Sequence, residues 1–177
     1  MQGSAKPARL VSYYRSVKPT RHKVKDTTNK EKQWAYMQHM RQFKQQGRLN
    51  LDLRTNADRC LIEDLKEWKQ KGEEIILVGD FDQRIYKSKF ARALTGSGLN
   101  LREQYRSLCN KEAPFSHMTG HLPIIGCFAC IGIELNAYSL SNHQVHGSVG
   151  SHRLHVIDFA SDSILGKDLP ILTKRSG

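Results

Sequence analysis

Glu74-Ile-Ile-Leu-Val-Gly-Asp-Phe-Asp82 decides how this chain is read. Ile75 to Val78 form a continuous apolar run, the pattern of a strand covered on both faces. Gly79 is expected to turn the backbone, so that Asp80 and Asp82 project from the strand's end with Phe81 between them. Paired carboxylates at a strand end, on a basic chain, suit a divalent cation that engages phosphate. A turn with two solvated acids would have the same sequence. A second segment, Val149-Gly-Ser-His-Arg-Leu-His-Val-Ile-Asp-Phe159, separates the two readings by setting a His-Arg pair just before another strand-like run.

Together these segments resemble the endonuclease/exonuclease/phosphatase superfamily of DNase-like, metal-dependent phosphoesterases. That family carries Gly-Asp-Phe-Asn at a central strand end and Ser/Gly-Asp-His-Arg before a final strand. This chain has Gly79-Asp80-Phe81-Asp82 and Gly150-Ser151-His152-Arg153. Leu10-Val-Ser-Tyr-Tyr-Arg15 resembles the family's strand that ends in an active-site tyrosine. Pro123-Ile-Ile-Gly-Cys-Phe-Ala129 resembles its Ile-Asp-(Gly/Tyr)-Ile-Phe strand. Pro114-Phe-Ser-His-Met-Thr-Gly120 and the segment from Asp158 to Gly166 suit the retroelement-type branch.

The resemblance covers about residues 8–166 and implies an α/β fold, part of a four-layer α/β/β/α sandwich. It implies Asp80 as a Mg²⁺ ligand, His152, Tyr14 and Asp82 as the catalytic group, and Arg15 and Arg153 as substrate contacts. It also implies a preceding N-terminal half with a glutamate-bearing strand, which would lie before Leu10. Three positions depart from the family pattern: Asp82 stands for asparagine, Ser151 for the Asp before the His, and Ile125 for the Asp that orients that His. An ionised Asp82 presents only acceptors and repels phosphate, where an amide would donate. Ser151 removes a carboxylate, and Ile125 leaves His152 without a charged partner. Losing one oriented polar group commonly costs about 10²- to 10⁴-fold in rate, so hydrolysis is expected to be weak or lost.

Charge distribution points to the partner. The 177 residues carry a net charge of +11. Residues 1–54 hold 13 Lys/Arg against 3 Asp/Glu, and the remainder 15 against 14, so nearly all the excess lies in the N-terminal third. Such an arm holds polyanions by counterion release, with nucleic acid, DNA ahead of RNA, the expected partner. A solubilising tail is the plain alternative. An anionic membrane surface ranks second to nucleic acid for such an arm, and no membrane partner is expected: the longest mostly apolar stretch, Leu122 to Ile133, is too short to span a bilayer. No obligate protein partner is indicated. Cys60, Cys109, Cys127 and Cys130 suggest no disulfide framework, which places the chain inside the cell rather than outside it.

Local patterning divides the chain into a tail over 1–9, a domain over 10–166 and a C-terminal tail over 167–177. Leu10–Tyr14 reads as a strand and Ser16–Lys30 as a loop. Glu31–Gln46 reads as a helix with a Trp34, Met37, Met40, Phe43 stripe ended by Gly47. A second helix spans Asn56–Lys71, with Thr55 and Asp58 as a capping pair, Leu61, Leu65 and Trp68 inward, and Gly72 at its end. Lys89–Leu94 and Arg102–Leu108 read as short helices, and Ile124–Ile131 and Leu154–Phe159 as strands. His117, His121, Cys127 and Cys130 have zinc-like spacing. Against zinc, cysteines three apart in a strand point to opposite faces. Two functions follow: a metal-dependent endonuclease-type phosphodiesterase, retroelement-derived and impaired, or a non-enzymatic remnant that binds nucleic acid through residues 1–54.

Overall fold

The computed structural model describes residues 6–16, 28–48, 52–141 and 152–165. The elements are β1 (Ala8–Tyr14), α1 (Thr28–Gln45), α2 (Leu53–Gln70), β2 (Glu74–Asp80), α3 (Lys89–Thr95) and β3 (Leu101–Glu103). They continue with α4 (Gln104–Cys109), β4 (Ile125–Cys130), β5 (Leu135–Leu140), β6 (His155–Phe159) and α5 (Ser161–Leu165). The fold is mixed α/β, as expected. One sheet has the order β1-β2-β4-β3, with β1 parallel to β2 and the other pairs antiparallel; β5 and β6 form a second, antiparallel sheet.

The apolar run is the centre of the larger sheet. Ile75, Ile76 and Leu77 are all buried because β2 has a strand on each side and apolar groups on both faces. Residues opposite one another in a ladder share a face. Val11, Leu77 and Phe128 are opposite one another, and so are Tyr13, Gly79 and Gly126. This face meets the helices. Phe81 packs 6.0 Å from Tyr13, 5.6 Å from Phe90 of α3 and 5.7 Å, edge-on, from Phe128. Leu65 of α2 and Leu94 of α3 complete the cluster. Arg9 of β1 lies over the Trp68 ring of α2, 4.5 Å from its centroid.

From the second sheet, Tyr138, Ile157 and Phe159 join the core, and Tyr138 meets Tyr105 of α4 edge-on at 5.3 Å. The Tyr138 hydroxyl also pairs with His155 Nδ1 at 2.8 Å. Burial pushes His155 down to about 4, so the imidazole is neutral in the fold.

Several expectations are corrected. The first strand begins at Ala8, not Leu10. Gly79 is a strand residue rather than a turn; the left-handed residue is Asp82, at φ 44°. Glycine is required at 79 because a Cβ there would run into the Tyr13 carbonyl oxygen of β1. In α1 the inward stripe is Tyr36, Met40 and Phe43 at four-and-three spacing, while Met37 is 44% exposed; the Trp34 side chain lies outside the described residues. Asp52, not Thr55, caps α2, accepting from Thr55 N–H at 2.9 Å. Arg102–Leu108 divides into β3 and α4. The Glu103 carboxylate accepts from Tyr105 N–H at 3.2 Å and Arg106 N–H at 2.8 Å, which starts the helix after it. The expected loop over Ser16–Lys30 and tail over 167–177 lie mostly or wholly outside the described residues.

The close approach of β1 makes a direct test. Gly79→Ala is expected to destabilise the fold by at least about 2 kcal/mol, because the clash is with the backbone of β1, which the β1–β2 ladder holds in register. Chemical denaturation measures it; an unchanged unfolding midpoint would contradict the parallel β1–β2 register.

Candidate functional site

Phe81 shapes the site. Its ring is 1% exposed, and its N–H donates to the Ile124 carbonyl at 2.8 Å, so β2 ends with this side chain drawn inward. Asp80 and Asp82 are left toward the surface on either side of it. Asp80 lies opposite Tyr14 of β1 and Ile125 of β4, and its carbonyl accepts from Arg15 N–H at 2.9 Å. Two strand ends therefore set Tyr14 beside Asp80.

His152 arrives from far along the chain. An isolated bridge joins it to His117, and Arg153 N–H donates to the Ser116 carbonyl at 2.8 Å. Ser116 is fully buried, and its hydroxyl accepts from Ile124 N–H at 3.1 Å and Ile125 N–H at 3.2 Å, which ties this clamp to the start of β4. The clamp carries His152 Nε2 to 3.9 Å from Asp80 Oδ2. Sequence reasoning did not bring His117 here. Its ring meets His152 edge-on at 4.8 Å, and its Nδ1 accepts from Thr119 N–H at 3.2 Å, which puts its proton on Nε2.

Asp80 Oδ1 accepts from Asp82 N–H at 3.1 Å. Burial raises the Asp80 carboxyl above the usual range, against the lowering effect of that N–H and of His152. Tyr14 is raised too, first by desolvation and then by Asp80 and Asp82, so it keeps its proton as a donor. His152 Nδ1 is buried with no hydrogen-bond partner among the described residues. The apolar Ile125, opposite Asp80, offers it no acceptor.

Asp82 differs from expectation. Arg54, at the start of α2, forms an ion pair with its carboxylate and donates to its carbonyl at 3.2 Å. The expected repulsion of phosphate is thus offset by a guanidinium. Nothing in the sequence marks a partner 28 residues upstream. Arg15 is also committed: it donates to both oxygens of Asp58, at 3.1 and 2.8 Å, beside the Tyr13 hydroxyl at 2.9 Å. Arg153 donates to the Phe115 carbonyl at 2.8 Å and the Ser141 carbonyl at 3.0 Å. Ser151 lies outside the described residues.

Mg²⁺ requires near-octahedral oxygen ligands. Of the two carboxylates, Asp80 has one oxygen on an N–H and Asp82 is held by Arg54, so these side chains do not make a magnesium cage. Among the described residues no group of three or more His, Cys, Asp or Glu is placed to hold a metal ion. The zinc spacing fails for the same reason and for another. Cys127 and Cys130 are both buried in β4, where side chains three apart point to opposite faces of the sheet.

No protein-family model matches the chain, and no curated protein does. Among solved structures it is similar to the human Nocturnin catalytic domain with bound sulfate anion, at 17% identity and a TM-score of 0.48. The alignment covers 58% of this chain and 39% of that one, so the chain spans less than half the length of that structure.

The raised Asp80 carboxyl fixes the sign of a pH effect. A folded value above the unfolded one means that the native state holds the proton more tightly. This contribution to stability is present at acid pH and is lost as pH rises through the folded value. Asp80→Asn keeps an acceptor for Asp82 N–H and removes the half-buried charge. It is expected to raise the Tm near neutral pH, with the gap closing below about pH 4. A lower Tm at neutral pH would contradict it.

Proposed function

We propose that this chain is a phosphoesterase-like domain that contacts nucleic acid and whose hydrolytic centre is impaired. The observation that carries the reading is the meeting of Tyr14, Asp80 and His152, from three separate segments, at one end of the larger sheet. Tyr14 and His152 are groups that donate to phosphate oxygens, and Asp80 takes the position that the family resemblance assigns to the metal. The impairment rests on features of the described residues: His152 Nδ1 without a partner, Asp82 bound to Arg54, and one carboxylate where a cation needs several. Arg15 and Arg153 would serve substrate only through the N–H groups that their intramolecular partners leave over. We place the chain inside the cell, in keeping with its free thiols at Cys60, Cys109, Cys127 and Cys130.

The charge of the N-terminal third supports DNA as partner, and it supports the second reading, a remnant that binds without hydrolysis. β1 belongs to the sheet, so the basic segment cannot be deleted from the N-terminus without removing an edge strand. Charge neutralisation is the cleaner test. Changing Lys18, Arg21, Lys23 and Lys25 to Gln is expected to weaken DNA binding and to make its log–log salt slope shallower by up to about 3 to 4. Plasmid nicking in Mg²⁺ is expected at background, unchanged in His152→Ala. An unaltered salt slope rules out the basic segment as the contact. Efficient nicking that is lost in Asp80→Ala rules out the impairment.

A further inference from the structure

A second cavity opens beside the strand-end cluster. It lies between the end of β1, the C-terminal half of α1 and the first turn of α2, and has a volume of about 370 Å³. Small-molecule sites begin at roughly 300 Å³. Tyr14 and Phe43 supply aromatic rings, Leu53 an aliphatic wall, and His39, Arg15 and Arg54 a polar rim. Arg48, 5.9 Å from the Phe43 ring, adds a cation near the same wall.

Two observations tie this cavity to a ligand. Arg15, Arg48 and Arg54 set guanidinium groups about its aromatic walls, and His39 adds an imidazole. Cationic groups around aromatic rings suit a planar group that carries acceptors and is joined to an anion. The cavity also shares Tyr14 with the cluster around Asp80, and Arg54 links it to Asp82.

We propose that this cavity receives one unpaired nucleobase of single-stranded DNA, while the neighbouring phosphate faces Tyr14 and His152; this rests on the nucleic-acid reading above. The base stacks on Phe43 or Tyr14, and its exocyclic oxygens and ring nitrogens face the cationic rim of Arg15 and Arg54. A base in an intact duplex cannot enter without leaving its stack and its partner, so the cavity selects single strands. It reads the presence of an exposed base more than its identity, since every base has a face to stack.

Fluorescence anisotropy with the full chain tests this, using a short labelled single strand and the blunt duplex of the same sequence at one salt concentration. The single strand is expected to bind about tenfold more tightly than the duplex. Phe43→Ala is expected to weaken single-strand binding about tenfold. Ala57→Trp, which fills the cavity from an exposed position on α2, is expected to do the same without removing a packed side chain. Duplex binding stays unchanged in both variants. Should Phe43→Ala not fold, as circular dichroism would show, Ala57→Trp decides. Equal affinity for the two forms of DNA, or single-strand binding that Ala57→Trp leaves intact, overturns the cavity and spares the phosphate reading. Absence of binding to both forms overturns both.

Discussion

Pairing of β2 with neighbours on both sides is the constraint on which the rest of this structure depends. Because β1 runs parallel to it and β4 antiparallel, Tyr14, Asp80 and Ile125 are brought level at one end of the sheet. The energy that holds the arrangement is apolar: each fully buried Ile or Leu on β2 contributes about 1.5–3 kcal/mol. Gly79 and Gly126, opposite each other, leave room on the helix face where the Tyr13 carbonyl and the Ile85 side chain approach. A motif glycine that looks like a turn is therefore a packing residue, and the turn falls on Asp82 instead.

The same end of the sheet separates the delivery of a side chain from its orientation. Ser116 holds the 115–117 segment to the start of β4, and Arg153 holds the His152 segment to Ser116, so His152 is delivered by backbone and buried hydroxyl contacts. Those contacts do not involve the imidazole's Nδ1. Delivery and orientation are separate functions, and these contacts supply only the first. Arg54 has a comparable effect on Asp82, converting a carboxylate that would oppose phosphate into half of an ion pair and leaving its own Nε–H unused.

Much of the fold was legible because its strongest signals are local. The Ile75–Val78 run, the α2 stripe through Leu65, the strand at Cys127–Ala129 and the glycine that ends α1 follow from period and composition. β5 was missed because a bulge between Leu135 and Ala137 breaks the alternation, and its inward residue, Tyr138, pairs with a histidine rather than lying in an apolar run. β3 was hidden by a capping glutamate that belongs to strand and helix at once. In the site, motif order was enough to nominate Tyr14, Asp80 and His152. The Arg54–Asp82 and Arg15–Asp58 pairs were not legible, since contacts across 28 and 43 residues leave no periodic trace. The edge-on contact of His117 with His152 is likewise a product of the clamp.

His152 is held beside Asp80 through Nε2, and its Nδ1 has no hydrogen-bond partner among the described residues. Nitrogen-15 spectra of the histidine side chains measure this directly, because the two ring nitrogens report their own proton occupancy. Averaged signals for the two His152 ring nitrogens and no slowly exchanging Nδ1 proton are expected, with Ile125→Asp converting the ring to a single Nδ1–H form. A native ring already fixed as Nδ1–H, with a hydrogen-bonded proton far downfield, would contradict it.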